Sequence, residues 1–254
     1  MNLILSSADS ANLTIARVQV NSLICPSDIQ NQIVPMPAQR ASATNVIPGW
    51  SWNGIYPLPP GNWTQAFTSY AGNAGTFTFG FSNLMPTTVL GFFNGVIYND
   101  SSVQIASITD GMSNTFAFAE HSKGLLFALD PGYAVSDNSW NSGRWYDTLF
   151  ATTYPLNIGH GNNVAFAPGY TESYYFPTTA GSYHPGGANF AMCDGSVRFI
   201  KNSISSWSFS PATNNPVGVT LTNFVYAVAP GSLVGVWQQL STRNGGEVVS
   251  SDSY

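Results

Sequence analysis

The 254-residue, 27.2 kDa chain carries only 7 Lys and Arg against 12 Asp and Glu, a formal net charge of −5. Charged residues are 7% of it, where an average domain has about 25%; its polarity comes from 30 Ser, 20 Thr and 23 Asn instead. So few cations leave no phosphate-binding surface, which excludes nucleic acid as a partner, and 44% hydrophobic content excludes a highly charged disordered tail.

Along the chain, Met1–Leu5 shows neither a basic n-region nor a long apolar stretch, so no signal peptide is read there. Apolar runs such as Val89–Val96 break well short of the ~20 residues a membrane helix needs. Ser10 can cap a short helix in which Leu13, Ala16 or Arg17, Val20 and Leu23 recur at helical spacing. It ends before Cys25, because Pro26 disfavours a helical residue ahead of it. Residues 30–63, rich in Pro, Asn, Gly and Trp, read as an irregular insertion. Gly75–Phe81 alternates small and aromatic residues as a half-buried strand does, and Val89–Tyr98 and Val103–Ile108 are further strand candidates.

Asp110-Gly111 marks a turn feeding the strand Phe116–Glu120. Period-two alternation places Phe116, Phe118 and Glu120 on one face, so the carboxylate sits at the core margin and, if buried, needs a cation or backbone donors. Arg198, Lys123 and His121 are candidate cations. Residues 128–182 form a second irregular insertion of loops and short strands, with Trp140, Trp145, Tyr174, Tyr175 and Phe176 for packing. Asp194-Gly195, between two alternating runs, predicts a hairpin with a two-residue loop. That register opposes Cys193 to Ser196, Met192 to Val197, Ala191 to Arg198 and Phe190 to Phe199, giving a core face of Phe190, Met192, Val197 and Phe199. A last helix runs from about Leu233 to Leu240 and stops at Gly245-Gly246. The two cysteines, Cys25 and Cys193, permit one disulfide or two buried thiols.

Five segments in order carry a resemblance: Leu23–Asp28 (LICPSD), Ile108–Thr115 (ITDGMSNT) with Glu120, His184–Asn189 (HPGGAN), Asp194–Ile200 (DGSVRFI) and Thr242–Ser250 (TRNGGEVVS). Together they resemble the bacterial prepilin-like proteins of unknown function whose defining motif is a His, nine residues and Asp-Gly. His184 and Asp194-Gly195 match that spacing. The resemblance runs from about residue 10 to the C-terminus and marks Cys25, Asp110, Gly111, Glu120, His184, Asp194, Gly195 and Arg198 as its motif residues. It implies kinship with type IV pilins and type II secretion pseudopilins, whose long apolar N-terminal helix anchors them in the membrane. That helix is absent from this sequence, so a membrane role would run only through a removed segment. The family's usual upstream Cys is also absent, leaving Cys25 without that partner.

Enzyme chemistry has weak signals. Asp110 and Asp194 could suggest paired-acid catalysis, but Gly follows each directly where aspartic proteases place a hydroxyl residue, so both read as turn residues. Cys193 with His184 lacks an orienting third group, and His121, His160 and His184 lack zinc-site spacing. His184 reads as a ring bonding the backbone at the Pro185-Gly186-Gly187 bend. Asp110, Asn114 and Asp194, with Asp137, Asn138 and Asp147, are weak calcium candidates in no recognisable loop. Trp50, Trp52, Tyr56 and Trp63 offer stacking surfaces for surface glycans, although such aromatics more often fill an irregular core.

The expectation is one α+β domain over residues 1–254, predominantly antiparallel β, a pilin-like globular head with long loops and few short helices. Its expected role is structural: an exported, extracellular or cell-surface subunit that associates with copies of itself into a filament, lattice or pseudopilus. A carbohydrate-binding or adhesive module is the alternative. No catalytic residue, cofactor or confident metal site is expected, with calcium the weak exception.

Overall fold

A computed structural model describes residues 15, 17–29, 33–36, 61–64, 66–77, 93–98, 101–129, 138, 140, 145–158, 178–210, 216–222, 225–247, 249–250 and 253–254. It is a small α+β fold made mostly of strands. The centre is a five-stranded mixed sheet in the order β5-β3-β4-β6-β7, with β3 Tyr70–Gly75, β4 Phe116–Glu120, β5 Leu149–Ala151, β6 Gly187–Met192 and β7 Val197–Lys201. β3–β4, β4–β6 and β6–β7 pair antiparallel, and β3–β5 pairs parallel. Two separate antiparallel pairs flank it in sequence: β1 Ile33–Met36 with β2 Gly61–Thr64, and β8 Val219–Thr222 with β9 Val225–Val228. β1 and most of β2 lie inside residues 30–63, so that stretch, expected to be irregular, contains an antiparallel strand pair, and β8–β9 is an additional hairpin.

The helices described are short: Lys123–Leu129, Trp145–Thr148 and Val236–Gln239. None is long and apolar enough to cross a membrane among the described residues. The last lies inside the span predicted as 233–240 and buries Trp237. Of the helix predicted from Ser10 to before Cys25, residues 10–14 and 16 lie outside the described residues; beyond Ile15 the described remainder is not α-helical, with extended backbone at Val20 (φ −101°, ψ 103°) and a 3₁₀ turn at Asn21–Leu23. The strand predicted at Gly75–Phe81 begins where β3 ends, and residues 78–81 lie outside the described set. Val103–Ile108 is a 3₁₀ turn at Ile105–Ser107, not a strand, and Phe93–Tyr98 is an irregular bend. Phe93–Tyr98 lies against β3 but bonds it irregularly, with Val96 and Ile97 N–H both donating to Asn73 O and Gly95 N–H to Ala74 O, so no regular ladder forms; Val103–Ile108 is in no strand pairing among the described residues.

One face of the sheet carries the core. Phe116, Phe150, Phe190 and Trp237 are fully buried there, with Phe116 and Phe190 ring centres 4.4 Å apart and Trp237 5.4 Å from Phe190. Polar groups beside them are bonded: Asn73 donates to the carbonyls of Phe116 (2.8 Å) and Ser241 (2.9 Å), and the Trp237 indole donates to Tyr154 (2.9 Å).

Two face assignments differ from the sequence reading. β4 pairs Phe116 with Met192 but Phe118 with Ala191, so Ala117 is an extra residue, a β-bulge. Phe116 therefore turns into the core while Phe118, half-exposed, and Glu120 share the outer face. The β6–β7 hairpin forms at the predicted Asp194-Gly195, but with a register of Phe190↔Arg198 and Ala191↔Val197. Gly195 N–H donates to Met192 O and Met192 N–H to Ser196 O, so the loop has three residues, with Gly195 at φ 85°. This is a turn closed by a glycine bulge rather than a two-residue turn. The one-residue slip turns Val197 and Phe199 outward and leaves Ile200 in the core with Phe190 and Met192.

Candidate functional site

Three motif residues from distant parts of the chain converge on the outer face of β4. Glu120 ends β4, paired with Tyr70 of β3, and its side chain is buried. Cys25 follows the Asn21–Leu23 turn, and His184 precedes the Pro185-Gly186 bend into β6. The Cys25 thiol donates to Glu120 Oε1 at 3.3 Å, and His184 Nε2 lies 2.9 Å from that same oxygen and 3.6 Å from Cys25 Sγ. Ser27 Oγ stands 3.1 Å from the sulfur and 3.4 Å from Nε2. The other carboxylate oxygen, Oε2, accepts the backbone N–H of Asn189 (2.7 Å) and its side-chain amide (3.3 Å). Cys25 and Glu120 are buried, while 33% of the His184 side chain is open to solvent.

Glu120 thus has the partners its burial demands, but they are His184 and Asn189. Of the cations read from sequence, Arg198 meets the hydroxyl and ring face of Tyr254 instead. Lys123 Nζ lies 4.4 Å over the Phe67 ring, and His121 contacts Asn138. His184 uses its ring on Glu120 rather than on the bend's backbone, and its own backbone N–H donates to Ser182 Oγ. Nor does His184 meet Cys193: its sulfur neighbour is Cys25. Both cysteines are free, with the Cys193 thiol directed at Phe116 O and raised to about 11 by burial and then by the Asp194 charge.

The arrangement differs in geometry from a Ser-His-Asp relay. A relay uses the two imidazole nitrogens separately, one for the nucleophile and one for the orienting acid. Here thiol and carboxylate both address Nε2, and they also address each other. Donor atoms of three kinds, Sγ, Nε2 and Oε1, lie within 4.8 Å of one another, the arrangement in which an ion could be held. The surroundings are acidic: burial, then Cys25, Glu120 and Asp28, push the Tyr70 hydroxyl above its usual range.

The remaining motif residues fasten chain to chain. Asp28 accepts from the hydroxyls of Ser69 (2.7 Å) and Ser122 (2.6 Å) and from the backbone N–H of Lys123 and Gly124 (3.1 Å each), closing the start of helix Lys123–Leu129. Gly124 is required there, because a Cβ would stand 2.5 Å from Ile29 O. Asp110 accepts from Thr242 Oγ1 and from the N–H groups of Gly245 (2.7 Å) and Gly246 (2.9 Å), which ties the fifth motif to the second. Gly111, at φ 97°, starts the 3₁₀ turn Met112–Asn114. Asp194 accepts from the Ser196 hydroxyl and N–H, bonds that hold its carboxyl below the usual range. Asn114 Oδ1 accepts from the Tyr254 hydroxyl. The calcium candidates Asp110, Asn114 and Asp194 therefore each hold protein donors. Trp50, Trp52 and Tyr56 lie outside the described residues.

The chain is a strand-dominated α+β fold whose chain-distant motifs meet on one sheet. The family model described as a protein of unknown function (DUF1559) matches residues 4–206, and the chain belongs to that family. The matched span includes Cys25, Glu120, His184 and Asp194-Gly195, while the Thr242–Ser250 motif lies beyond it. No curated protein and no solved structure matches the chain.

Proposed function

We propose that the protein is a structural, exported pilin-like subunit that associates with copies of itself. The observation that supports this reading is the outer face of the sheet around β7. Phe118 (50% exposed) and Val197 (68%) lie on one cross-strand row through Ala191, and Phe199 (44%) stands opposite Asn189 on the next. Among the described residues β7 ends the sheet, so an apolar surface adjoins a strand edge. A second copy is the occupant that the composition favours, since 19 charged side chains in 254 residues set little repulsion between like surfaces. The prepilin-like motif order points the same way, toward a filament, surface lattice or pseudopilus outside the cell.

Sedimentation velocity over a wide concentration range, with negative-stain microscopy, tests it. Wild-type protein is expected to grow into oligomers, and Val197→Lys with Phe199→Lys to hold it monomeric. A wild type that stays monomeric at the highest concentration, or a double variant that assembles as wild type does, would refute the proposal.

A further inference from the structure

We propose that Cys25, Glu120 and His184 form a binding site for one divalent transition-metal ion of the zinc class. The proposal does not depend on self-association, and three observations carry it.

The first is the donor set. Thiolate, imidazole and carboxylate together suit zinc and its neighbours, whereas calcium and magnesium take oxygen ligands alone. The second is spacing. Bonds of about 2.3 Å to sulfur and about 2.0–2.1 Å to nitrogen or oxygen, at tetrahedral angles, set donor pairs about 3.3–3.6 Å apart. Here Sγ–Nε2 is 3.6 Å, Sγ–Oε1 is 3.3 Å and Nε2–Oε1 is 2.9 Å. The Nε2–Oε1 pair has to open by about 0.4 Å and the Sγ–Oε1 pair by about 0.2 Å when their hydrogen bonds are replaced by metal bonds, while Sγ–Nε2 already has the required separation. The third is the support around the donors. Asn189 holds Glu120 Oε2 with two N–H groups, which leaves Oε1 as the single ligand oxygen and fixes its direction. Ser27 Oγ faces the same point, and the open side of His184 is the path for the ion and for water in the fourth position.

Without metal, protons hold the cluster together: S–H donates to Oε1, and Nε2–H does so in that tautomer. Binding replaces them. The thiol releases its proton to solvent as the Zn–S bond forms, and the neutral imidazole keeps its single proton by moving it to Nδ1. One proton is therefore released per ion bound when His184 starts neutral.

The test uses the whole chain, reduced and stripped with EDTA, titrated with Zn²⁺ and with Co²⁺ as a spectroscopic substitute. A Cys193→Ser background leaves Cys25 as the one thiol. In it, one equivalent of Co²⁺ is expected to give a thiolate charge-transfer band, displaced by Zn²⁺ but not by a large excess of Ca²⁺ or Mg²⁺. His184→Gln, at a half-open position, should weaken binding by more than about 100-fold, since even outer partners contribute about 10–100-fold. Cys25→Ser should remove the band. Circular dichroism establishes that each protein tested is folded. Folded Cys193→Ser protein that takes up no stoichiometric Co²⁺ or Zn²⁺, or that binds without a thiolate band, overturns the proposal. So does binding that His184→Gln leaves unchanged.

Discussion

The two faces of the five-stranded sheet are built by the same strands and hold opposite chemistry. The inner face stacks the fully buried rings of Phe116, Phe150, Phe190 and Trp237. The outer face sets Phe118, Val197 and Phe199 against solvent and, one row over, gathers Cys25, Glu120 and His184. The inner face determines whether the chain folds, because it holds the largest fully buried side chains. The outer face adds little to folding and carries the groups available to another molecule. A sheet with one committed face and one idle face leaves the idle one to specialise.

That comparison can be tested from its strongest consequence downward. Trp237→Ala on the inner side removes the ring that spans Phe116 and Phe190, together with its bond to Tyr154. It should cost about 3–5 kcal/mol, read as a lower urea midpoint at unchanged slope. Asp28→Ala strips the acceptor from two hydroxyls and two helix-start N–H groups and should cost about 1.5–3 kcal/mol. Its loss should appear as faster amide exchange at Lys123 and Gly124.

Gly195→Ala forces a Cβ into φ 85° with open space around it, so the cost is conformational alone, about 1–2 kcal/mol. Phe199→Ser on the outer face should shift monomer stability by no more than about 0.5 kcal/mol while weakening association. A large loss of monomer stability there would erase the distinction between the faces. The last effect is one of reactivity. Burial raises the Cys193 thiol to about 11, so at pH 8 only about a thousandth is thiolate, and alkylation should quicken about tenfold per pH unit up to that point. On unfolding that thiol returns to its ordinary, lower pKa. Stability from this group is thus complete below about pH 9 and lost as pH rises toward 11.

Much of the fold is readable in the residues, and what is not has local causes. The Asp194-Gly195 hairpin, the strand Phe116–Glu120 and the final helix all sit where turn chemistry and alternation put them. The faces do not follow, because a single inserted residue inverts them. Alternation through β4 is regular only when Ala117 is left out, and nothing in Phe-Ala-Phe-Ala-Glu marks it as a bulge. Likewise Asp-Gly allows either a two-residue or a three-residue loop, and the choice moves Val197 and Phe199 from core to solvent. The site is legible as motifs but not as a constellation. Cys25, Glu120 and His184 each stand in a motif, yet spacing along the chain does not tell which of them meet. Cys193 is the cysteine nearer to His184 in sequence, whereas Cys25 reaches it in space.

The same separations set a clock. Glu120 finds its partners 64, 69 and 95 residues away, and Asn73 bonds a carbonyl 168 residues on. β5, which pairs parallel with β3, also lies far downstream of it in the chain. Loops of that length must close before their contacts stabilise anything, so refolding belongs to the slow regime of about milliseconds to seconds. The sheet and the cluster on its outer face would then form together, late, and a stopped-flow trace should show Trp237 burial with no early phase.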